Sequence, residues 1–391
     1  MSSSGPASRA GSPDRGVFGS EVVDRVRAAG DVWKLPWGEL RIPRVFGFCR
    51  GVKRALAMLE RALEAEPGGA TRFFLLGQII HNPWVNDHFQ RRGVRILSDG
   101  ERDDLERFIG PDDCAVIPAF GVPLPSEQRL RRLGARIIDT TCGDVLRLRN
   151  WAERTAGEGF GILIYGRARH DETVVTKSRL DAAGGMYLVV SDMAEAERFC
   201  DMIVGRKDPE RFPDVFGREV TNAETLAPFL HLAQVSQTTM LYEETMLVRD
   251  RVREAFGGRF GVAADERIRF QPTVCRATQD RQTAALDLCR GGCDLAFVVG
   301  GFGSSNTRHL YELTSRHCPA WFIEDAGAIL SREEIYAFDP DRDTAVRVRH
   351  WLPDRRPLRV GMLAGASSPE VVIGEVLERV AGLLAEATSG R

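Results

Sequence analysis

The 391-residue sequence has few lysines, few cysteines and no long hydrophobic run. No apolar stretch approaches the roughly 20 residues that cross a bilayer, so we expect no membrane-spanning segment. The formal net charge is only −2, which excludes a strong positive field for nucleic acid or an anionic membrane. Lysine occurs only at positions 34, 53, 177 and 207, and we interpret the excess of arginine as codon bias rather than function.

The cysteines are too sparse for the disulfide scaffold of a secreted protein. They occupy positions 49, 114, 142, 200, 275, 289, 293 and 318. Residues 1–16 contain no apolar core, so we expect a disordered tail there rather than a secretory signal. A reducing cytoplasm fits this pattern, and in that compartment a special cysteine is a metal ligand or a nucleophile.

Short apolar stretches alternate with helical patterns along the chain, which is typical of an α/β protein. The main predicted strands are FFLLG (73–77), CAVIPAF (114–120), GILIYG (161–166), MYLVV (186–190), LAQV (232–235), LAFVVGG (295–301) and RVGMLAG (359–365). The main predicted helices are 52–65, 148–156, 278–289 and 369–386, in which apolar residues recur at helical spacing.

The order of these elements repeats three times. Cys49, Cys142 and Cys275 each precede a helix, then a strand, then a polar turn. The turns begin at His81, His170 and Ser304, which are 32, 28 and 29 residues after the cysteine. A second strand then ends in another small or polar turn, at 118–123, 235–240 and 363–369. A threefold repeat with one cysteine in each copy reverses the usual interpretation of a lone cysteine as a buried core residue.

The repeat predicts three similar α/β domains in a pseudo-threefold trefoil around a central site. Ligands of parallel α/β units bind beyond the carboxyl ends of strands, so the three cysteines and the polar turns would converge. The predicted divisions are an N-terminal extension (1–40, partly disordered) and domains at 41–137, 138–265 and 266–391. Segments 200–230 and 331–352, rich in Asp, Arg and Pro, are expected to be surface excursions.

The other cysteines are expected to be structural. Cys114, Cys200 and Cys318 fit ordinary buried positions, and the CRGGC spacing of Cys289 and Cys293 is not that of a CxxC pair. Three converging thiolates leave two alternatives open. One is zinc with an open position, and the other is a 4Fe–4S cluster whose fourth iron is free to bind substrate.

The polar turns indicate a site for a small phosphorylated molecule. Neutral hydrogen-bond donors are concentrated in them, together with His81 and His170. The hydroxyl and amide side chains are Thr238, Thr239, Ser304, Ser305, Asn306, Ser367 and Ser368. The sequence contains no GxxxxGK[ST] and no GxGxxG spacing after a strand, which argues against a nucleotide. Glu172, two residues after His170, is the candidate proton donor, because burial beside an anion raises a carboxyl pKa.

At these positions the chain resembles the 4-hydroxy-3-methylbut-2-enyl diphosphate reductase (IspH/LytB) family. The resemblance extends from about residue 42 to 384 and is carried by nine motifs, so it is far more specific than any single one. They are FGFCRGV (46–52), IIHNPWVND (79–87), PAFG (118–121), DTTCGDV (139–145), RHDET (169–173), QTTM (237–240), CRATQDRQ (275–282), GGFGSSNT (300–307) and AGASSPE (364–370). With phenylalanine in PAFG, the chain resembles the cyanobacterial and plant branch of this family. The departures from the family pattern, at Gly143, Gly303 and Leu363-Ala364, leave the three cysteines unchanged.

The resemblance implies a 4Fe–4S cluster on Cys49, Cys142 and Cys275. It assigns the diphosphate of the substrate to His81, His170, Ser304, Asn306 and Ser367, with Ser305 adjacent. It also implies that Glu172 relays a proton and that Thr238 positions the substrate hydroxyl. The implied reaction removes that allylic hydroxyl as water to give isopentenyl and dimethylallyl diphosphate, the last step of the non-mevalonate isoprenoid pathway. A ferredoxin or flavodoxin would supply the electrons to a cytoplasmic monomer or homodimer.

Two further hypotheses remain at this stage. A diverged paralogue would use the same cluster on another small allylic substrate, and a redox sensor would keep the cluster without turnover. Glu172 and Thr238 together favour an enzyme, because a sensor needs the cysteines but no proton relay.

Overall fold

The computed structural model of the protein describes residues 16–66, 71–353 and 357–385. Most of the predicted disordered tail, residues 1–15, lies outside these ranges. In chain order, the strands are β1 (Val32–Leu35), β2 (Gly38–Arg41), β3 (Phe73–Leu75), β4 (Val94–Ile96), β5 (Cys114–Ile117), β6 (Arg136–Asp139), β7 (Gly161–Tyr165), β8 (Tyr187–Val190), β9 (Leu232–Ser236), β10 (Ile268–Phe270), β11 (Leu295–Val299), β12 (Ala320–Ile323), β13 (Glu334–Asp339), β14 (Thr344–Arg349) and β15 (Leu358–Ala364).

The helices alternate with these strands. They are α1 (Glu21–Ala28), α2 (Arg50–Glu64), α3 (Pro83–Arg91), α4 (Asp99–Arg102), α5 (Leu124–Leu133), α6 (Gly143–Gly157), α7 (Asp171–Ala182), α8 (Met193–Ile203), α9 (Phe212–Val215), α10 (Tyr242–Phe260), α11 (Ala264–Arg267), α12 (Arg276–Arg290), α13 (Ser305–Ser315) and α14 (Glu370–Ala385). All four main predicted helices are present, which confirms the alternation read from the sequence. No helix in the described ranges is long and apolar enough to cross a membrane.

Three sheets have the same strand order, and this confirms an α/β fold built on a repeat. The orders are β4-β3-β5-β6, β8-β7-β9-β10 and β12-β11-β15-β2-β1. All neighbours pair in parallel except β1 with β2, which form an antiparallel hairpin. In each sheet the strand that follows a cysteine-led helix is flanked by the next two strands that belong to that sheet. The fourth position is filled by β6, β10 or β2, each of which precedes a cysteine.

The sequence of these elements explains their burial. Strands β5, β7, β9 and β11 are buried along their whole length, as expected for parallel strands covered by helices on both faces. Helix α2 buries Val52, Ala55, Leu56 and Leu59, whose spacing places them on one helical face.

Two compact units are distinguished by their internal packing. One consists of the chain up to Phe48 together with the chain from Thr283, and the other runs from Cys49 to Gln282. The second unit contains the sheets of β3–β6 and β7–β10, and the first contains the sheet of β1, β2, β11, β12 and β15. The three predicted domain boundaries are not tested by this division and stay a prediction.

The described part of the predicted N-terminal extension is structured. Ser20 caps α1 by accepting a hydrogen bond from the Val23 amide, and the hairpin β1–β2 follows. Strand β2 pairs in parallel with β15, so the hairpin belongs to the same sheet as β11. A strand that pairs with a segment more than 300 residues later leaves no local signal in the sequence.

The expectation that residues 200–230 are a surface excursion is wrong in part. Phe212 and Phe229 are fully buried and Phe216 nearly so, and all three join the core around β7–β9. Burial of these three rings stabilises the folded state, because each ring removes a large apolar area from water. Segment 331–352 forms the separate antiparallel hairpin β13–β14.

Candidate functional site

Each of the three predicted cysteine ligands lies directly before a helix in the unit of residues 49–282. Cys49 and Cys142 are the N-terminal caps of α2 and α6, and Cys275 precedes the first residue of α12. The amides of Val52 and Thr278 donate to the sulfurs of Cys49 and Cys275, both at 3.4 Å. These helix starts point amide N–H groups and the positive ends of helix dipoles at sulfur, which stabilises thiolates.

Cys49 and Cys142 are neighbours across Gly51. A Cβ atom added to Gly51 would lie 2.7 Å from the Cys142 sulfur and 3.7 Å from the Cys49 sulfur. The contact with the Cys142 sulfur is too close, whereas the one with Cys49 is an ordinary van der Waals distance, so glycine allows the first turn of α2 to approach Cys142. The amide of Cys142 also donates to the Ala119 carbonyl at 2.8 Å, which fixes this cysteine beside the turn that follows β5.

The substitution Gly51→Ala is expected to reduce the iron bound per protein chain after anaerobic reconstitution. The added methyl group would displace the Cys142 sulfur, and overpacking of this kind costs about 1–3 kcal/mol of stability. Gly143→Ala is the matched control, because a Cβ at Gly143 meets nothing within 4 Å. Iron and sulfide analysis would measure the effect, and equal iron contents in the two variants would contradict it.

Cys275 is fixed by the neighbouring QTTM turn. Its amide donates to the Thr238 carbonyl at 2.9 Å, and its sulfur lies 3.2 Å from the Thr278 hydroxyl. Burial raises the pKa of the Cys275 thiol to about 11, and the nearby charge of Cys49 acts in the same direction. Burial likewise raises the pKa of Cys142, with a smaller contribution from the charge of Cys49. Because the charge of Cys49 contributes to both shifts, Cys142 and Cys275 each interact electrostatically with Cys49.

The donor set of these three cysteines fits an iron–sulfur cluster. Soft thiolate ligands are those that such clusters take, and a bound cation removes the thiol protons that burial would otherwise retain. No group of three or more His, Cys, Asp or Glu residues in the described ranges is arranged to hold a single metal ion. A four-iron cluster is larger than one ion, so its ligands stand further apart than those of a mononuclear site.

Glu172 and Thr238 form a buried hydrogen-bonded pair in the same unit. The Thr238 amide donates to Oε1 of Glu172 at 2.7 Å, and the Thr238 hydroxyl lies 2.6 Å from Oε2. Glu172 is 3% exposed. Burial raises its pKa to about 7, although the hydrogen bonds from Thr238 oppose the shift. A carboxyl group with this pKa holds and releases a proton near neutral pH.

The raised pKa of Glu172 predicts a stability that falls as the pH rises. Below pH 4.5 both folded and unfolded states bind the proton, and the contribution of this group is fully present. Between pH 4.5 and about 7 the unfolded chain loses this proton while the folded chain keeps it, so the free energy of unfolding falls by on the order of 3 kcal/mol in total. Glu172→Gln lacks this titration. Urea unfolding should therefore show the variant gaining stability relative to wild type between pH 5 and 8, and a constant difference would contradict the assigned pKa.

The predicted diphosphate ligands His81 and His170 lie close together in this unit, with ring centroids 5.7 Å apart. His81 stacks on Phe120 with an interplanar angle of 5°, and its Nε2 lies 3.4 Å from Oδ2 of Asp171. Burial lowers the pKa of His81, which favours the neutral ring. Nδ1 of His170 accepts from the Glu172 amide at 3.3 Å, so the ring proton of a neutral His170 is on Nε2.

The remaining predicted ligands form a second group, in the unit that contains β11 and β15. Ser304 caps α13, and its Oγ accepts from the Thr307 amide at 3.3 Å. Oγ of Ser367 lies 3.3 Å from Oγ of Ser304, and Oδ1 of Asn306 accepts from the Ala366 amide at 2.9 Å. Ser304, Ser305, Asn306 and Ser367 are all buried. They lie beyond the carboxyl ends of two paired parallel strands, where ligands of such sheets bind.

The sequence motifs did not indicate that two charged residues, Asp144 and Arg281, lie near the cysteines. The charge of Asp144 acts on Cys142, Cys275 and Glu172. Arg281 is 4% exposed, donates from Nη1 to the Ala277 carbonyl at 2.8 Å, and interacts electrostatically with Cys49 and Cys275. Both residues are within motifs of the family resemblance, but an isolated charge gives no sign of burial, and only its position among apolar neighbours could have indicated it.

Comparison with known proteins identifies the family. The model of the LytB protein family matches residues 41–381. The 4-hydroxy-3-methylbut-2-enyl diphosphate reductase of Thermosynechococcus vestitus is 32% identical over 381 residues, which cover 96% of this chain and 92% of that protein. The enzyme of the same name from Gloeobacter violaceus is 33% identical over 383 residues, with 95% and 89% covered.

Solved structures agree with these relatives. The structure of (E)-4-hydroxy-3-methyl-but-2-enyl diphosphate reductase, the terminal enzyme of the non-mevalonate pathway, aligns with a TM-score of 0.53 and 26% identity, covering 88% of this chain and 99% of that one. The reductase from Plasmodium falciparum aligns with a TM-score of 0.63 at 20% identity, covering 87% and 86%, and supports the fold. This protein therefore belongs to the LytB family.

Proposed function

We propose that this protein is a 4-hydroxy-3-methylbut-2-enyl diphosphate reductase. Its family and the names of its relatives support this activity. The observation that carries the proposal is the buried Glu172–Thr238 pair in the same unit as three cysteines that directly precede helices. The reaction consumes two electrons and two protons, removes the allylic hydroxyl as water and gives isopentenyl and dimethylallyl diphosphate.

In this proposal Cys49, Cys142 and Cys275 hold a 4Fe–4S cluster. The cluster, when bound, supplies the two electrons one at a time at a low potential. The helix amides that donate to the sulfurs of Cys49 and Cys275 hold these ligands in place. Gly51 leaves room for the Cys142 sulfur, so the ligand set depends on the close approach of α2.

Glu172 is proposed to deliver the proton that the leaving hydroxyl needs. Its pKa of about 7 keeps a proton available at neutral pH, and the side chain is shielded from bulk water. The Thr238 hydroxyl, which lies against the same carboxyl group, is suited to pass the hydrogen bond on to the substrate hydroxyl. General acid catalysis of this kind contributes about 10²–10⁴-fold to a rate.

The diphosphate is proposed to bind to neutral donors rather than to a cluster of cations. His170 presents Nε2–H because its Nδ1 accepts from the Glu172 amide, and His81 is held by its stacking on Phe120. In the other unit the proposed ligands are Ser304, Ser305, Asn306 and Ser367. Neutral hydroxyl, amide and imidazole groups hydrogen-bond phosphate oxygens more weakly than charged donors do, and this weaker binding allows the diphosphate product to dissociate.

The proposal also includes the setting of the reaction. A low-potential one-electron carrier, either a ferredoxin or a flavodoxin, is the proposed electron donor. The proposed location is the cytoplasm, with the protein acting as a monomer or a homodimer.

The decisive experiment is anaerobic reconstitution with iron and sulfide, followed by an assay with the hydroxylated diphosphate and dithionite with methyl viologen. Formation of isopentenyl and dimethylallyl diphosphate would support the proposal. A reconstituted cluster that reduces no allylic diphosphate would contradict it, and reduction of a different allylic substrate alone would indicate a diverged paralogue.

A further inference from the structure

The turn that leads into the serine group of the proposed diphosphate ligands is held by its neighbours. The Ser304 amide closes this turn by donating to the Gly301 carbonyl at 2.9 Å. Within the turn, the Phe302 amide donates to Oε1 of Glu324 at 3.2 Å. The Phe302 ring packs edge-on against Phe322 of β12, with ring centroids 5.1 Å apart. The position of Ser304 therefore depends on the residues that hold Phe302.

Hairpin β13–β14 contributes a further ring to this turn. The ring of Phe338, near the end of β13, has its centroid 5.3 Å from that of Phe302 and 5.2 Å from that of Phe322. Phe338 is buried, although the hairpin forms a sheet of its own. Aromatic rings at such separations attract each other beyond the apolar area that they bury. Phe338 therefore restrains the Phe302 ring and, through it, the turn.

The tip of the hairpin also contacts helix α13. The guanidinium of Arg308 lies over the ring of Phe338, 4.5 Å from its centroid, and forms an ion pair with Asp343. The Arg308 amide donates to the Ser304 carbonyl at 3.0 Å, so Arg308 lies one helical turn after Ser304. The Arg308 side chain is largely buried, which strengthens its interaction with the ring. The hairpin thus holds the first turn of α13 as well as the turn before it.

The shape of the hairpin is fixed at both ends. A two-stranded ribbon is marginally stable by itself, so it needs contacts with the rest of the protein. At its base, Nε1 of Trp351 donates to the Ser331 carbonyl at 2.9 Å, and the Trp351 ring packs 5.5 Å from that of Phe297 in β11. At its tip, Asp343 has a φ of +52°, a left-handed conformation that aspartate adopts more readily than most residues. The tip is therefore shaped to present Asp343 to α13.

We propose that hairpin β13–β14 is a positioning element for the diphosphate of the substrate. Phe338 and Asp343 hold the turn and the helix start that present the ligands Ser304, Ser305 and Asn306. This inference rests on the proposed function and adds two positioning residues that lie outside every motif of the family resemblance. A hydrogen bond weakens steeply when its geometry is disturbed, so a displaced turn binds phosphate oxygens less well. Loss of either contact should weaken substrate binding more than turnover.

The first test replaces Phe338 by leucine in the reconstituted holoenzyme. Leucine keeps the site apolar, so the variant should fold, but the ring contacts and the interaction with Arg308 are lost. We expect KM for the hydroxylated diphosphate to rise about fivefold, with kcat and iron content at the wild-type level. The Kd for inorganic diphosphate, measured by anaerobic calorimetry, should rise by the same factor. Tyr336→Leu is the matched control, since Tyr336 lies on the same strand but is 42% exposed, and it should change neither constant.

The second test, Asp343→Asn, separates positioning from charge. Asparagine also adopts the left-handed conformation readily, and the Asp343 side chain is 71% exposed, so this variant should fold. Removal of a carboxylate near an anion site would by itself tighten anion binding. We expect instead that inorganic diphosphate binds about twofold more weakly, because Arg308 loses the partner that holds it. Unchanged or tighter binding would remove Asp343 from the proposed positioning element.

An unchanged Kd for inorganic diphosphate in Phe338→Leu would overturn the inference. An equal rise in Tyr336→Leu, or a fall in kcat at constant KM, would overturn it as well. If the wild-type holoenzyme binds inorganic diphosphate but reduces no allylic diphosphate, the proposed function fails, and the two titrations still decide the role of the hairpin. A wild-type protein that neither binds diphosphate nor reduces the substrate would refute both.

Discussion

Replacing Glu172 by glutamine is expected to lower turnover by about 10²–10⁴-fold while the iron and sulfide content stays at the wild-type level. Glutamine has the same shape, and its amide group accepts from Thr238 and hydrogen-bonds the hydroxyl, but it has no acidic proton to deliver. Single-turnover product formation with dithionite and methyl viologen measures the loss. Iron analysis shows whether the ligand set is intact.

Two substitutions of Thr238 serve as controls for the Glu172 variant. Thr238→Ser keeps the hydroxyl that lies 2.6 Å from Oε2 and should retain most of the turnover. Thr238→Val removes it and leaves one carboxylate oxygen without this partner, so turnover should fall. Substantial turnover in Glu172→Gln would show that another group delivers the proton.

Serine substitution of Cys49, Cys142 or Cys275 is expected to remove both the cluster and all measurable turnover. Each variant loses one of only three thiolates, and a hydroxyl is a poor ligand for iron in a sulfide cluster. The visible absorption of the reconstituted protein and its iron content are the measurements. The three variants should fail alike, because the proposed ligands act as one set.

Cys289→Ser is the matched control for the cysteine variants. Cys289 is also a partly exposed free thiol, but it lies at the far end of α12 and packs against a different core. Its replacement should leave iron content and turnover unchanged. A wild-type iron content in any one of the three ligand variants would remove that cysteine from the proposed set.

Much of the fold could be predicted because its signals are local. Val52, Ala55, Leu56 and Leu59 recur at helical spacing, and the buried strands are continuous apolar runs. The repeat of cysteine, helix, strand and polar turn was visible in the sequence, and the shared strand order of the three sheets confirms it. The place of the hairpin β1–β2 was not predicted, because parallel pairing of β2 with β15 depends on contacts distant in sequence.

The candidate site, like the fold, was predicted only in part from the sequence. Sequence motifs named Glu172 and Thr238, but only the tertiary structure brings residues 66 positions apart into two hydrogen bonds. The pKa of Glu172 is a property of its burial, which no motif encodes. The roles of Gly51 and Arg281 were missed for the same reason. A close approach and a buried charge become visible only when the neighbouring elements are in place.

The α/β class, the three cysteines that precede helices, and the family could all be predicted from the order of the amino acids. These properties depend on residue type, spacing and periodicity, which are read along the chain. The folded structure was needed to show which side chains contact each other, how deeply Glu172 is buried, and how closely α2 approaches Cys142. Such properties depend on packing between segments distant in sequence, and packing is fixed only when the whole chain has folded.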